Sequence, residues 1–395
     1  MAKGLASDRS GKEQHAGASR RWGRWLAALL AFARLASFAR LETIVTVDVH
    51  NGMFMMGRFR IMEDPVDHPR LQLLRRREKL DLVIAPGKTQ LDKFVLLRHW
   101  AHEQWQSAPT FRYPPWDAVE ILDLARKRKN YGFCGQYAVV FLQAARSLGF
   151  HARYVDTGHF FASVWNDEQQ KWMAMDPTND WHYEKDGIGQ SGRQLAEASW
   201  TGDMEGIEQV HFDGKRKQAT ADDLIIFRNF SILLTNNQLT EPVLIAENGQ
   251  KHPHVRLEDW TRYPQVGRGN VGYGAEFLVW HHAENPPPAT DRHVSDDPDD
   301  FRDRFNQTII SLSGTRPEKR LAKLRIFAEN APEFAAFVID DGIGSYERPE
   351  PEIFWELKPG LNRLSARVKT SSGWLGQKST MTLYYKPSWL PKYRG

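Results

Sequence analysis

A helix followed directly by a β-hairpin occupies residues 134–176 and constrains the fold more than any other part of the chain. Apolar residues recur at helical spacing over 138–145, which predicts an amphipathic helix that stops at Gly149. Two aromatic-rich apolar runs, 159–165 and 171–176, are separated by the polar stretch NDEQQ, which predicts a hairpin. We therefore expect a helix packed on two antiparallel strands, as in an α+β domain.

The single cysteine of the chain lies where this helix begins. Cys134 comes one turn before Ala138, and Gly132 and Gly135 flank it and permit a tight entry turn. The unpaired N–H groups and the macrodipole of a helix N-terminus favour a thiolate, and the same N–H groups can bind an oxyanion. A lone cysteine is more often a small buried apolar residue, but this position is typical of a nucleophile.

The hairpin predicts that His159 and Asp176 face each other. Facing residues of an antiparallel pair have a constant sum of residue numbers, so this pairing places the turn between Asp167 and Glu168, inside the polar stretch. The carboxylate would hold the far nitrogen of the imidazole and leave the near one for the thiol proton. Taken singly, a sheet histidine and a turn aspartate before Pro177 are ordinary features. Together with the cysteine they predict a catalytic triad.

This order of residues resembles the transglutaminase-like superfamily, whose core is a circularly rearranged papain-like fold. The matching motifs are GFCGQYA (132–138), LGFHARYV (148–155), GHFFASVW (158–165) and WMAMDPT (172–178), with PPWDAVEIL (114–122) as a looser match upstream. The resemblance implies that Cys134 is the nucleophile, His159 the general base and acid, and Asp176 the residue that orients the imidazole.

The resemblance also points to Trp105. By position it is a candidate for the tryptophan whose indole N–H helps to stabilise the oxyanion in transglutaminases. It also continues the apolar helical stripe of residues 94–101, which favours core packing. Both interpretations stand at this point.

The substrate-facing wall departs from the superfamily pattern. That pattern has an aromatic residue two positions after the histidine and an acidic residue four positions after it, where this chain has Phe161 and Ser163. Candidates for the walls of a substrate cleft are the aromatic residues of the hairpin: Phe160, Phe161, Trp165 and Trp172.

Composition is typical of a globular chain without nucleic-acid or metal signatures. Hydrophobic residues make up 41% and charged residues 26% of 395 residues, a length that favours two domains. Lys and Arg (53) nearly balance Asp and Glu (49), so the net charge of +4 gives no indication of nucleic acid. Phosphate-binding and metal-binding motifs are absent from the sequence, and we therefore expect no cofactor and no metal.

The N-terminus reads as a targeting segment. The basic stretch 20–24 precedes the apolar run 25–33, and small residues at suitable spacing follow, so residues 1–39 are predicted to be a signal peptide or targeting segment. Arg34 interrupts the run, which leaves it too short for a stable transmembrane helix. We expect export to the periplasm or outside the cell, where an unpaired thiol suggests reactivity. The alternative is an amphipathic helix on the domain or on a membrane surface.

Three sections follow this segment. Residues 40–90 are predicted as a β lead-in with strands at 42–50 and 53–62, residues 91–250 as the catalytic domain, and residues 251–395 as an antiparallel, immunoglobulin-like β-sandwich. The expected sandwich strands lie in EFLVWHHA (276–283), LAKLRIFAE (321–329), FAAFVIDD (334–341), IFWELKPGLNRLSARVKT (353–370) and KSTMTLYYK (378–386). The stretch ENPPPAT is expected to be an interdomain linker or a long loop.

The sequence therefore predicts acyl transfer from a carboxamide through a thioester on Cys134. The acceptor is water, as in a peptidase or amidase, or an amine, as in a transglutaminase, with hydrolysis the first choice. A peptide N-glycanase-like amidase shares the triad and is a subordinate option. An alternative outside the enzymes is a non-catalytic protein that has the same fold and binds a peptide or glycan. The expected partner is a peptide, protein or glycopeptide, and no pattern bears on the oligomeric state.

Overall fold

The computed structural model describes residues 41–108, 114–128, 132–240, 245–247, 250–252, 271–273, 276–283 and 293–388. The targeting segment predicted at 1–39 and the stretch ENPPPAT (284–290) lie outside these residues.

The helices are α1 (Pro69–Glu78), α2 (Leu80–Ile84), α3 (Gln90–His102), α4 (Ala118–Arg126), α5 (Cys134–Ser147), α6 (Gly192–Thr201) and α7 (Ala221–Leu224). Short 3₁₀ turns cover Ile225–Asn229, Pro298–Phe301 and Pro317–Lys319. The strands are β1 (Thr43–His50), β2 (Met62–Glu63), β3 (Ala152–Asp156), β4 (Phe160–Asn166), β5 (Lys171–Asp176), β6 (Trp181–Lys185), β7 (Ile188–Gly189), β8 (Ile207–His211), β9 (Arg216–Gln218), β10 (Ser231–Leu233), β11 (Thr235–Asn236), β12 (Ile245–Glu247), β13 (Gln250–His252), β14 (Val271–Tyr273), β15 (Phe277–Trp280), β16 (His293–Ser295), β17 (Gln307–Arg316), β18 (Leu321–Glu329), β19 (Phe334–Asp340), β20 (Ser345–Arg348), β21 (Glu352–Glu356), β22 (Gly360–Thr370) and β23 (Ser379–Lys386).

Helix α5 is the central helix of the structure, and it is buried on all sides. Every residue from 135 to 147 is buried, because α1, α3 and α4 pack on one side of the helix and β3 and β4 on the other. The helix itself is confirmed, but the prediction of an amphipathic helix was wrong. Polar Gln143 is accommodated by two hydrogen bonds to α4 and the residue before it: its Oε1 accepts from the N–H of Ala118 at 2.8 Å, and its Nε2 donates to the carbonyl of Trp116 at 2.7 Å.

The hairpin is confirmed and lies inside the largest sheet of the described residues. The strand order is β16-β15-β10-β3-β4-β5-β6-β8-β9, with β7 paired to β6. All neighbours are antiparallel except β15 and β16. Ala162 faces Met175, so the register differs by two residues from the predicted pairing of His159 with Asp176. Because side chains alternate with a period of two, this shift leaves both residues on the predicted face.

A β-sandwich is formed by two further sheets, ordered β1-β23-β22-β19-β20 and β17-β18-β21. Their facing side chains form one core, which includes Ile310, Leu324, Trp355, Leu364 and Leu383. The four sequence runs from 321 onwards that were predicted as sandwich strands are confirmed by β18, β19, β21, β22 and β23.

The segment 40–90 differs from the predicted β lead-in. Its first strand, β1, pairs with β23 at the opposite end of the chain, so it belongs to the sandwich. The predicted strand 53–62 is irregular up to residue 61, and the rest of the segment forms the helices α1 and α2. The pairing of β1 covers an edge of β23 that would otherwise leave backbone groups unpaired, which local sequence could not reveal.

The run at 276–283 also differs from its prediction. Phe277–Trp280 forms β15, which pairs with β10 in the large sheet instead of joining the sandwich. Alternation along this strand places Phe277 in the cluster around α5 and Leu278 in the cluster on the other face of the sheet. A strand that is apolar on both faces is stable only in a sheet that is covered on both sides. The exact boundaries between the catalytic domain and the sandwich stay a prediction.

Candidate active site

Cys134 is half-buried at the first position of α5. The preceding Phe133 is extended, and its N–H donates to Oε1 of Gln136 at 3.0 Å while its carbonyl accepts the N–H of Gln136 at 3.0 Å. Gly132 approaches this turn so closely that a Cβ would lie 2.6 Å from Cβ of Gln136, which explains why a glycine precedes it. The turn therefore holds the thiol at the N-terminus of α5, where the first N–H groups have no partner within the helix.

His159 lies immediately before β4 and contacts both other members of the predicted triad. Its Nε2 lies 2.9 Å from Oδ2 of Asp176, and the imidazole also forms a hydrogen bond with Cys134. Because Asp176 occupies Nε2, the bond to the thiol uses Nδ1. The register shift does not separate the pair, since the imidazole reaches diagonally across the strands to Asp176.

Asp176 is held by the turn that follows β5. Its Oδ1 accepts the N–H of Thr178 at 2.9 Å and the N–H of Asn179 at 3.1 Å, and its Oδ2 accepts Nδ2 of Asn179 at 2.8 Å. With His159, the carboxylate has four donors, which fix its orientation before any substrate arrives. Asn179 was missed by the sequence reasoning, although an aspartate that begins a turn commonly accepts from the residues two and three positions on.

The charges of the site favour a protonated imidazole. Burial by itself would lower the pKa of His159, but the hydrogen bonds to Asp176 and Cys134 and the negative charges of both groups outweigh burial and raise this pKa to about 10, from an ordinary value of 6.5. At neutral pH His159 is therefore held as the imidazolium, next to the sulfur of Cys134. A protonated imidazole beside the sulfur is the partner that a cysteine nucleophile requires.

Helix α3 holds the loop that carries Asp176. His102 Nδ1 lies 3.2 and 3.1 Å from the carbonyl oxygens of residues 177–178. The preceding turn of the same helix supplies Arg98, whose Nε donates to Oδ1 of Asp180 at 2.8 Å, and His99, whose Nδ1 lies 2.7 Å from Oδ2 of Asp180. Arg98 is fully buried, so this ion pair anchors the loop to the protein interior. These α3 residues were also missed, because nothing in their spacing identifies their partner.

Trp105 packs beside the site and does not present its indole N–H to the thiol. Its Nε1 donates to the carbonyl of Gly132 at 3.1 Å, and its ring stacks on Tyr137 at 4.1 Å between centroids. The Tyr137 hydroxyl in turn donates to the carbonyl of Trp105. This geometry favours the packing interpretation over the oxyanion interpretation. The N–H groups of Cys134 and Gly135 belong to the first turn of α5, where N–H groups have no acceptor within the helix, and they are the other candidates for oxyanion donors.

The predicted cleft walls are core side chains, and that prediction was wrong. Phe161 is buried on the face of the sheet opposite α5. Trp165 and Trp172 are buried with Phe305 at the turn end of the hairpin. Phe160 is half-buried and packs on the cluster around α5. All four lie on a central sheet that is covered on both faces, so they do not form walls of a cleft at the thiol. Trp165 and Trp172 also line a small cavity at the turn end of the hairpin, away from Cys134.

A cavity of about 570 Å³ adjoins the loop that holds Asp176. Its lining includes Asn179 and Asp180 from that loop, His99 and His102 from α3, and Phe212, whose ring stacks on His99 at 3.6 Å. The lining carries both signs of charge. A larger cavity of about 1110 Å³ lies at the other end of α5, around Arg146, and is remote from the thiol.

The described ranges bear on two other classes of site. They contain no helix that is long and apolar enough to cross a membrane. Nor do they contain three His, Cys, Asp or Glu side chains grouped to hold a metal ion.

Comparisons with known proteins agree with the motifs. No curated protein matches the chain in sequence. Solved structures give 37 matching chains; one of them, red sea bream transglutaminase, aligns over 84% of this chain and 76% of its own at 10% identity, with a TM-score of 0.20 that is too low to support an argument. A family model described as the transglutaminase-like superfamily matches residues 79–177, a segment that contains all three triad residues. Residues 79–177 thus carry the core of the transglutaminase-like superfamily, and the resemblance drawn from the motifs is confirmed.

Proposed function

We propose that this protein is an acyl-transfer enzyme that cleaves a carboxamide bond through a thioester on Cys134. The observation that carries the proposal is the contact of His159 with both Cys134 and Asp176, which raises the pKa of the imidazole to about 10. An imidazolium then lies beside the Cys134 sulfur before substrate binds, and the candidate nucleophile, base and orienting group are within contact of one another.

The steps follow from the positions of these groups. The Cys134 thiolate attacks the carbonyl carbon, and the oxyanion that forms is stabilised by the N–H groups at the start of α5. His159 then gives its proton to the leaving amine, the C–N bond breaks, and the acyl group remains as a thioester. An incoming acceptor loses a proton to the now neutral imidazole as it attacks the thioester. The product leaves, and the thiolate–imidazolium pair is restored.

We propose water as the main acceptor, which makes the protein a cysteine hydrolase that acts on a peptide, protein or glycopeptide. In its support, the His159 side chain is 22% exposed and Cys134 is half-buried, so solvent reaches both groups. Transfer to an amine competes with bulk water, and it needs a site that keeps water away from the thioester. Transamidation remains the second outcome of the tests below.

Trapping of the acyl-enzyme tests the covalent step. The protein is incubated with a library of peptides and glycopeptides that contain side-chain and backbone carboxamides, and it is then quenched in acid and examined by intact-mass and peptide mass spectrometry. We expect an acyl adduct on the Cys134 peptide of the wild type and none on Cys134→Ala. The exposed His50 offers a matched control: His50→Gln should keep the adduct, whereas His159→Gln should lose it. Absence of any adduct, with slow iodoacetamide labelling of the thiol, would favour the non-catalytic binding protein.

Competition between acceptors separates hydrolysis from transamidation. With a donor identified by trapping, the free acid and the amide product are measured as a primary amine is added. We expect the free acid to remain the main product at millimolar amine. A dominant amide product would identify a transglutaminase, and release of aspartate-containing peptide from an N-linked glycan would identify a peptide N-glycanase-like amidase.

Export is part of the proposal and rests on the N-terminal sequence alone. The measurement is N-terminal sequencing of the protein recovered from the periplasm or the medium. We expect it to begin after residue 33 or after residue 39, and recovery with an intact N-terminus from that fraction would contradict cleavage.

A further inference from the structure

A third cavity, of about 250 Å³, lies at the turn end of the β4–β5 hairpin. The length of β4 places it about 20 Å from His159, so it is separate from the candidate active site. Its walls come from the start of β5, the N-terminus of α6 and the segment 301–304. Four of its ten lining residues are cations, Lys171, Arg193, Arg302 and Arg304, and none of the lining residues that the structure describes is acidic.

Arg193 is the most buried of these cations and has no hydrogen-bonded counter-charge among the described residues. The residue is only 9% exposed, and the nearest carboxylate oxygen, from Glu197, lies 3.8 Å away. The guanidinium lies 5.2 Å from the ring centroid of Trp280, which gives a cation–π contact in place of an anion. Burial and the positive charge of Arg302 lower the pKa of Arg193, and the negative charges of Glu197 and Asp299 oppose this. Because the pair with Glu197 is long and partly exposed, an anion that hydrogen-bonds to the guanidinium would stabilise this buried cation further.

Lys171 repeats this arrangement on the opposite wall. It is half-buried at the first position of β5, and no carboxylate in the described part of the chain lies within ion-pair distance of its ammonium group. Burial lowers the pKa of Lys171 to about 8, and no opposing charge restores it. Arg302 has only a long contact, 3.4 Å, from its Nη1 to Oδ1 of Asp299.

The N-terminus of α6 adds a fixed dipole to the same cavity. Ser191 caps the ten-residue helix by accepting the N–H of Gln194 at 3.2 Å, and both residues line the cavity. The first turn of α6 carries no acidic side chain, so the helix itself brings no anion to the positive end of its dipole. Cations from three elements and a helix N-terminus therefore converge on one space.

We propose that this cavity binds an oxyanion group, a phosphate or sulfate, held by Arg193, Lys171 and the N-terminus of α6. Arginine offers paired donors to such a group and lysine a point charge. The volume corresponds to about eight water molecules, which exceeds the need of a bare ion and leaves room for a small organic part of the ligand. The site does not depend on the acyl-transfer proposal, because it shares no residue with the triad.

Binding of defined anions to the full chain tests the site. Isothermal titration calorimetry is run with inorganic phosphate, sulfate and glucose 6-phosphate, with glucose and sodium chloride at matched ionic strength as references. A free ion predicts equal affinity for phosphate and glucose 6-phosphate, whereas a larger ligand predicts tighter binding of the ester. As a second readout, acetic anhydride labelling of Lys171 is followed by mass spectrometry, and the bound anion should protect this residue.

Matched variants make the result specific. Arg193→Gln and Lys171→Gln should each weaken phosphate binding by about tenfold or more, since each removes a charge-assisted hydrogen bond. The exposed residues Arg316 and Lys319 provide controls of equal charge, and Arg316→Gln and Lys319→Gln should bind as the wild type does. Circular dichroism confirms folding, and if Arg193→Gln fails to fold, Lys171→Gln decides alone. No saturable binding, or binding equal in the cavity variants and the controls, overturns the proposal.

Discussion

Substitution of Asp176 by asparagine should destabilise the protein by an amount that depends on pH. The pKa of His159 is about 10 in the folded chain and 6.5 ordinarily, so the folded protein binds this proton more tightly than the unfolded chain. That difference corresponds to about 5 kcal/mol of stability at about 1.4 kcal/mol per pH unit. It is fully present below pH 6.5 and is lost as the pH rises through about 10. Asp176 and Cys134 both contribute to this stabilisation, and we assign about half of it to Asp176.

Asparagine preserves the carbonyl oxygen that accepts from Thr178 and Asn179 but removes the charge that faces His159. The variant should therefore be less stable than the wild type by about 2.5 kcal/mol more at pH 6 than at alkaline pH, where the imidazolium is lost. Any change in the hydrogen bonds of the turn adds a constant that does not vary between these pH values.

Urea denaturation at pH 6 and pH 9.5 measures this difference. We expect the difference in stability between wild type and Asp176→Asn to be about 1.6 kcal/mol smaller at pH 9.5 than at pH 6. Asp48→Asn removes an exposed carboxylate and should show no such trend. When His159 is replaced by glutamine, the effect of Asp176→Asn on stability should no longer depend on pH. A gap that stays constant from pH 6 to pH 9.5 would refute the assignment of a raised pKa to the contact between His159 and Asp176.

Four further predictions address catalysis, packing and domain structure. Cys134→Ser should fold normally and lose turnover on a donor identified by trapping; more than about a hundredth of wild-type activity would contradict covalent catalysis. His159→Ala should abolish acylation and Asp176→Asn should retain a little, with the double variant little worse than His159→Ala alone; additive losses measured by single-turnover kinetics would show independent roles. Trp105→Phe should lose about 1 kcal/mol of stability in urea with little change in turnover, whereas a hundredfold loss of turnover would restore its oxyanion role. Limited proteolysis should cut first between about residues 245 and 290, and early cleavage within the hairpin would contradict a packed core.

The local elements around the site could be predicted because their information is local. Helical spacing over 138–145 and two apolar runs around a polar stretch suffice to give α5 and the hairpin. The contact between His159 and Asp176 survived a register error of two residues, since the face of a strand depends only on odd or even position. A sequence pattern therefore placed His159 and Asp176 on the same face of the sheet even though it misplaced the exact pairing of the strands.

Surfaces that are covered by distant parts of the chain could not be predicted in this way. Phe161, Trp165 and Trp172 are aromatic residues of a type common in cleft walls. Only the segments packed on the two faces of the sheet show that these side chains are buried in the core. Trp105 has an indole N–H that could serve an oxyanion, and its orientation toward Gly132 decides that it holds the entry turn instead. Which groups a side chain packs against or hydrogen-bonds to depends on tertiary geometry, and this geometry cannot be deduced from residue type or spacing.

The sequence by itself determined the helix and hairpin around the site, the cysteine at a helix N-terminus and the residue types of the candidate triad. Tertiary structure decided that β1 completes a sheet with β23 from the far end of the chain, and that β15 leaves the sandwich for the large sheet. It also decided that the cations around Arg193 share one cavity. The physical reason is the range of the interactions. Periodicity and capping act within a few residues, whereas strand pairing and burial join segments hundreds of residues apart, and their energies depend on surfaces that exist only after folding.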